Sequence, residues 1–302
     1  MVIQPRGFSL IELMLALSLT LVIGLAAIQL FQIHERSYGD QNAISEIKQN
    51  VRATSAQIAD EVRRAGSGIP SFAASGAGTT DEALAAVLNG SDSTHLRLRT
   101  GASNVVSSVL TVPAQYTPNV PRSVAVADAT TFSAALGTTA PSGRFVYLWG
   151  SGNYHCLGWV RAEILAIDGS TKTISIVGRQ AAGCMDQVPG VVSFAERHVV
   201  ALEEAVSIFL NSGSLWRATA TDMLNPTTPV WGPSSELLRN VTKLTFAYYD
   251  ESGMAVDTST LNGRLTVSRI ETTIEVRPST VGQTAPAFAL QTRSYLRLPR
   301  TP

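Results

Sequence analysis

The chain has 302 residues, and its 23 Lys+Arg balance 23 Asp+Glu. That length allows one large domain or two small ones besides any anchor, so a core can form without a metal or a dense disulfide framework. The zero net charge gives no support to nucleic-acid binding, which needs a basic face, and the low charged fraction of 15% suits an exported β-rich protein better than a cytosolic enzyme.

Residues Met1 to Gly7 read MVIQPRG, a polar stretch with one charge, Arg6. Phe8 to Phe31 read FSLIELMLALSLTLVIGLAAIQLF, with one ionisable group, Glu12, and no proline. At about 1.5 Å per residue this run spans roughly 36 Å, enough to cross a hydrocarbon core of about 30 Å. Arg6 ahead of the run favours a cytosolic N-terminus. A secretory signal would have a shorter apolar region closed by a small-x-small cleavage site. The residues after Phe31, QIHERSYGDQ, offer none. A plain single-span anchor explains the hydrophobicity but not the carboxylate of Glu12 inside the span, where a charge costs about 2.5–3.5 kcal/mol. That carboxylate calls for a partner.

The string Arg6-Gly7-Phe8-Ser9-Leu10-Ile11-Glu12-Leu13 resembles the class III signal of type IV pilins and type II secretion pseudopilins. The resemblance implies that a prepilin peptidase cuts between Gly7 and Phe8 on the cytosolic side and that Phe8 becomes the N-methylated terminus. Residues 8–31 then remain on the protein, first as a transmembrane anchor and later as filament core. Glu12 would neutralise the new amine of Phe8, on its own chain or a neighbour, where an unpaired buried charge is costly.

Beyond Phe31 the helix is expected to continue over 32–65 as an amphipathic element. Ile44, Ile47, Val51, Thr54, Ile58, Val62 and Ala65 recur at steps of three and four, and Glu46, Lys48, Arg52, Asp60, Glu61, Arg63 and Arg64 form a solvated face. Gly66, Gly68 and Pro70 end it. The alternative is two helices hinged at Gly39.

Residues 66–92 read as a surface loop with a short helix at Asp81–Leu88. Short alternating runs then predict strands at His95–Arg99, Val105–Val112, Phe145–Leu148, Gly158–Ile167, Thr173–Gly178, Val199–Leu210, Ser214–Ala218, Leu244–Tyr249, Arg269–Arg277 and Ala289–Leu298. Ile167–Ser170 and Asn211–Ser214 read as hairpin turns. The fold class is therefore α+β: one long N-terminal helix, half transmembrane and half amphipathic, followed by an antiparallel β-sheet head at 66–302 with an inserted β subdomain at 120–190, and the pilin resemblance implies that the amphipathic half packs on that sheet. The cysteines, Cys156 and Cys184, read as one disulfide if the chain is exported, the alternative being two buried thiols.

The segments LLRNVTKLTFAYYDESG and RLTVSRIETTIEVR are similar to the C-terminal sheet of PilW-type minor pilins and J-type minor pseudopilins, and Ile58–Gly66 resembles the end of their helix. The resemblance implies a minor pilin that initiates or caps a type IV pilus, with a J-type pseudopilin or a pilus-tip adhesin as alternatives. Its partners would be the prepilin peptidase, major and minor pilins, and the inner-membrane assembly platform. It would sit in the bacterial inner membrane, N-terminus cytosolic and head periplasmic, before reaching the pilus at the cell surface.

No enzyme, cofactor or metal site is expected. His34, His95, His155 and His198 are scattered, and no HExxH, P-loop, nucleophile elbow or dinucleotide fingerprint occurs. Gly150-Ser151-Gly152-Asn153 lacks the lysine of a phosphate site and reads as a turn. His155 beside Cys156 reads as the neighbour of a half-cystine rather than a thiol activator. Glu163, Glu203 and Glu204 read as solvated strand edges rather than an acid–base pair. Trp149, Trp159, Trp216 and Trp231 read as core or sheet-face residues.

Overall fold

The computed structural model describes residues 9–69, 81–101, 105–111, 114–136, 142–151, 157–183, 191–277 and 287–296. Its contacts divide the chain into two units, residues 1–50 with 278–286 and residues 51–277 with 287–302. Helix α1 runs over Leu10–Arg64. It continues through Gly39 without a break, so the hinged alternative is not the one adopted.

In the second unit α1 buries the face that its spacing predicts. Val51, Ile58, Ala59, Val62 and Ala65 are buried, with Thr54 and Ser55 beside them. The hydroxyl of Thr54 donates to the Leu237 carbonyl at 3.4 Å, and that of Ser55 bonds with Thr292. Glu61 departs from the expected solvated face: it is buried and paired with Arg217 at 2.9 Å. The helix ends at Gly66, whose φ of 79° is the left-handed conformation that closes helices. The Gly66 N–H donates to the Arg99 carbonyl at 2.9 Å and Gly101 N–H to Ser67 at 2.7 Å, which ties the helix end to the first strand. A Cβ on Gly101 would stand 2.7 Å from the Gly68 oxygen, so only glycine permits this approach.

The strands are β1 His95–Thr100, β2 Val106–Ser108, β3 Ala114–Tyr116, β4 Pro121–Ala125, β5 Phe145–Ser151, β6 Leu157–Asp168, β7 Thr173–Gly183, β8 Val192–Phe194, β9 Val199–Leu202, β10 Glu204–Asn211, β11 Ser214–Asp222, β12 Val230–Leu238, β13 Val241–Tyr249, β14 Arg269–Val276 and β15 Phe288–Tyr295. Short helices α2 (Thr130–Leu136) and α3 (Leu261–Thr266) lie between them. All strand pairs are antiparallel, in sheets ordered β1-β10-β11-β12, β13-β14-β15, β2-β9-β5-β6-β7-β4 and β3-β8. The fold is α+β.

Strands β2 to β9 intervene in sequence between two neighbours of one sheet, β1 and β10. They have their own core, in which Val146, Leu148, Ile164, Ile176, Phe194 and Val200 meet Phe132 of α2. The β10–β11 turn has Ser212 at φ 51° and Gly213 at φ 77°, the type I′ geometry whose twist matches that of the strands. Strand β14 alternates half-buried and buried residues along its whole length, the signature of one face on a core.

Three expectations are corrected. The run Val199–Leu210 is two strands in two sheets, parted at Glu203. The helix expected at Asp81–Leu88 is a single 3-10 turn, Glu82–Leu84, because the residues after it bond to β1: Arg99 N–H donates to Ala86 at 2.8 Å, and Leu88 N–H to Arg97 at 2.9 Å. Strands β3, β4, β8 and β12 and helices α2 and α3 are additions to the expected elements.

Candidate functional site

The described start of α1 is an apolar cylinder on which none of the described residues packs. From Leu10 to Ile33 its large side chains are all exposed, from 54% at Leu25 to 76% at Leu10. This helix is long and apolar enough to cross a membrane. Its hydroxyls are satisfied within the helix: Ser18 donates to the Leu15 carbonyl at 2.9 Å and Thr20 to Ala16 at 2.7 Å. Polar groups that bond to their own backbone can enter a medium without water at reduced cost.

The carboxylate of Glu12 closes back on the helix start. Its Oε2 accepts from the Ser9 N–H at 3.1 Å, while the Ser9 carbonyl accepts from Leu13 at 3.1 Å. This is the acidic arm of a capping box, in which the third residue of a helix satisfies the backbone of the residue before it. An anion here also complements the positive end of the helix dipole. The Ser-x-x-Glu spacing carries this arrangement in the sequence, a signal that the expectation of charge pairing does not use. Gly7, Phe8, Cys156 and Cys184 lie outside the described residues.

The head contains a second polar constellation that sequence reasoning missed. Glu203 is fully buried between two fully buried arginines. Arg161 Nε donates to Glu203 Oε2 at 2.7 Å, and Arg99 Nε stands 3.0 Å from Oε1, paired by charge but angled off a hydrogen bond. Tyr147 donates to the same carboxylate at 3.3 Å and to the Ala83 carbonyl. Arg99 reaches the carbonyls of Glu82, Ala85 and Pro226, and Arg161 that of Met223 while lying 3.8 Å over the Phe145 ring. Burial opposes the Arg161 charge, but Glu203, with smaller help from Tyr147 and Asp81, outweighs it and holds the Arg161 pKa above the ordinary arginine value. Burial, with the Glu203 charge, pushes the Tyr147 phenol upward as well. Apart from Arg99 Nε, which is paired by charge alone, the strong donors and acceptors of the cluster are spent on neighbours, so it fastens the segments around 82–85 and 223–226, β1 and β6 to the break between β9 and β10. A buried carboxylate surrounded this way is built for cohesion rather than proton transfer.

The other acidic candidates stand apart from it. Glu163 pairs with Arg179 at 2.6 Å and is nearly buried, so it is no solvated edge. Glu204 is half-buried on β10. Of the described histidines, His34 is exposed, His95 sits by Asp92 at 3.3 Å, and His198 is buried against Tyr116 at 2.6 Å and stacked on Phe194 at 4.4 Å. Trp159 is buried, and Trp149, Trp216 and Trp231 are half-buried. Among the described residues no group of three His, Cys, Asp or Glu side chains is placed to hold a metal.

The profile of the family described as the prokaryotic N-terminal methylation motif matches residues 4–28. No curated protein matches the chain at a significant level. The matched segment is the one that carries the exposed helix start and Glu12, and it supports a type IV pilin-like or pseudopilin protein that is processed by a prepilin peptidase and assembles with other pilins.

Proposed function

We propose that the chain is a minor pilin of PilW type that helps initiate or cap a type IV pilus after the prepilin peptidase cuts between Gly7 and Phe8. The observation that carries this reading is the bare apolar helix, Leu10 to Ile33, with one carboxylate at its start. So large an unpaired apolar surface has to be covered, by lipid first and then by like helices. Glu12 Oε2 is taken by Ser9, which leaves Oε1 for the methylated amine of Phe8 on the same chain or the next. The bulk of the head favours a tip position over one repeated along a tightly packed shaft. The partners in this reading are the peptidase, major and minor pilins and the inner-membrane platform, with the head in the periplasm before export.

Deleting the gene and restoring it tests the assignment. Loss of surface pili with intact protein secretion supports the minor pilin. Intact pili with lost type II secretion assigns the chain instead to the J-type pseudopilins, whose anchoring segment would be the same.

The cysteines are proposed to form one disulfide. Gly158 and Gly183 are directly paired at adjoining ends of β6 and β7, and Cys156 and Cys184 lie close to these ends in sequence. Peptide mapping without reductant should recover the two as one linked species; two thiols open to alkylation in the exported protein would contradict the bridge.

A further inference from the structure

The sequence contains the tripeptide Leu-Asn-Gly twice, at Leu88–Gly90 and Leu261–Gly263, and the fold treats the two in opposite ways. Asn-Gly bonds are chemically labile because the glycine nitrogen, with no Cβ beside it, can reach the preceding side-chain carboxamide. In the second copy that nitrogen is engaged: Gly263 N–H donates to Oγ1 of Thr260, the N-cap of α3, at 3.1 Å. In the first copy Asn89 and Gly90 are the central residues of a turn closed by Ser91 N–H on the Leu88 carbonyl at 3.2 Å, with Gly90 at φ 76°. Among the described residues, no acceptor takes the Gly90 N–H.

Arg97 on β1 completes the arrangement. Its Nη1 donates to the main-chain oxygen of Asn89 at 3.2 Å, and its guanidinium occupies the space where a Gly90 side chain would stand. Trp231 holds that guanidinium at 5.8 Å from its ring centre. The carbonyl so polarised belongs to the same peptide group as the Gly90 N–H. A fixed cation there stabilises the negative charge that this group acquires when the N–H is lost, as a preorganised donor does for any developing anion.

We propose that Asn89–Gly90 is a self-modification site at which Arg97 activates the backbone of Gly90 and Asn89 becomes an aspartyl or isoaspartyl residue. The Gly90 nitrogen gives its proton to solvent base and attacks Cγ of Asn89. The carboxamide C–N bond breaks, the departing nitrogen takes up a proton and leaves as ammonia, and a succinimide closes. Water then adds to either imide carbonyl and breaks that ring C–N bond, with no change in oxidation state. In the isoaspartyl product the free carboxylate is the former main-chain carbonyl of Asn89, the group that Arg97 contacts, at the rim of the groove lined by Asp92, Tyr248 and Asp257. The head thereby gains a negative charge as it ages.

The test holds the full-length chain, purified in detergent, at mildly alkaline pH and monitors both Asn-Gly bonds by peptide mapping with isoaspartyl detection. In the native protein Asn89 is expected to convert at least about tenfold faster than Asn262, equivalent to about 1.4 kcal/mol of barrier, and the ratio should collapse towards one in urea. Equal native rates, or a ratio that survives unfolding, would overturn the proposal. Arg97→Gln should slow Asn89 alone, and an unchanged rate would refute the activation. Thr260→Ala supplies an independent arm by freeing the Gly263 nitrogen: Asn262 should then convert faster, and no change would refute the protection.

Discussion

Glu61, near the end of α1, accepts from Nε and Nη2 of Arg217 on β11 at 3.1 and 2.9 Å, and Arg64 approaches its other oxygen at 2.9 Å. This fork-shaped contact sets the rotation and height of the last turns of α1 against the four-stranded sheet. A half-buried pair in which two guanidinium nitrogens share one carboxylate oxygen is worth more than the usual surface ion pair, because water competes less for the buried carboxylate.

Replacing Glu61 by alanine should therefore destabilise the head by about 1–3 kcal/mol, read as a lower thermal midpoint of the full chain in detergent. Asp60→Ala removes an exposed carboxylate one residue away, 3.1 Å from Arg64, and should shift the midpoint far less. Equal effects of the two would deny Glu61 its special place.

Glu203 carries the larger stake. Glu203→Gln leaves Arg99 and Arg161 buried without their shared counter-charge, for which a loss of about 3–5 kcal/mol is expected. Substituting the Glu and both arginines together by apolar residues should recover much of that loss. A single Gln variant that unfolds at the wild-type denaturant concentration would show that the carboxylate is not what holds the cluster.

The environment of His198 predicts an acid limit to stability. Desolvation against Tyr116 and Phe194 lowers its pKa from 6.5 to about 4. The folded pKa lies below the unfolded one, so the unfolded chain binds the proton more readily as pH falls. Stability from this group is complete above about pH 6.5 and is lost progressively towards pH 4, by up to about 3 kcal/mol. His198→Phe should flatten the stability profile in that window. A profile as steep as the wild-type one would place the acid sensitivity elsewhere.

The two roles open to Glu12 separate by chemistry. Glutamine keeps an acceptor for the Ser9 N–H but has no charge to offer an amine, and alanine has neither. If charge pairing drives assembly, both variants should be cleaved normally yet enter sheared pili poorly. If Glu12→Gln assembles like wild type, capping of the helix start is the whole of its contribution.

The parts legible in sequence are those whose signal is local. The apolar run from Phe8 to Phe31 and the three-and-four spacing of Val51, Thr54, Ile58 and Val62 need no knowledge of the rest of the chain, and α1 obeys both. Glu203 shows the opposite case. Its neighbours Val199–Leu202 and Ala205–Leu210 are apolar stretches separated by no turn residue, only by Glu203 and Glu204, and what puts them in different sheets is pairing with strands far away in sequence. Its arginine partners stand on β1 and β6, so neither its burial nor its role has any signature nearby. Strand β12 is hidden by Gly232-Pro233, which reads as a breaker but is tolerated because β12 is the edge of its sheet. The capping pair of Ser9 and Glu12 is of the legible kind, since its spacing is local.

The central claim is that the apolar helix stays on the protein while a short leader is removed from in front of it. The intact mass of the chain, measured in cells with and without the prepilin peptidase, tests this most directly. With the enzyme, the chain should begin at an N-methylated Phe8, and Gly7→Val should prevent the change. A native molecule that still begins at Met1 with the enzyme present, or one cut after Phe31, would contradict the account.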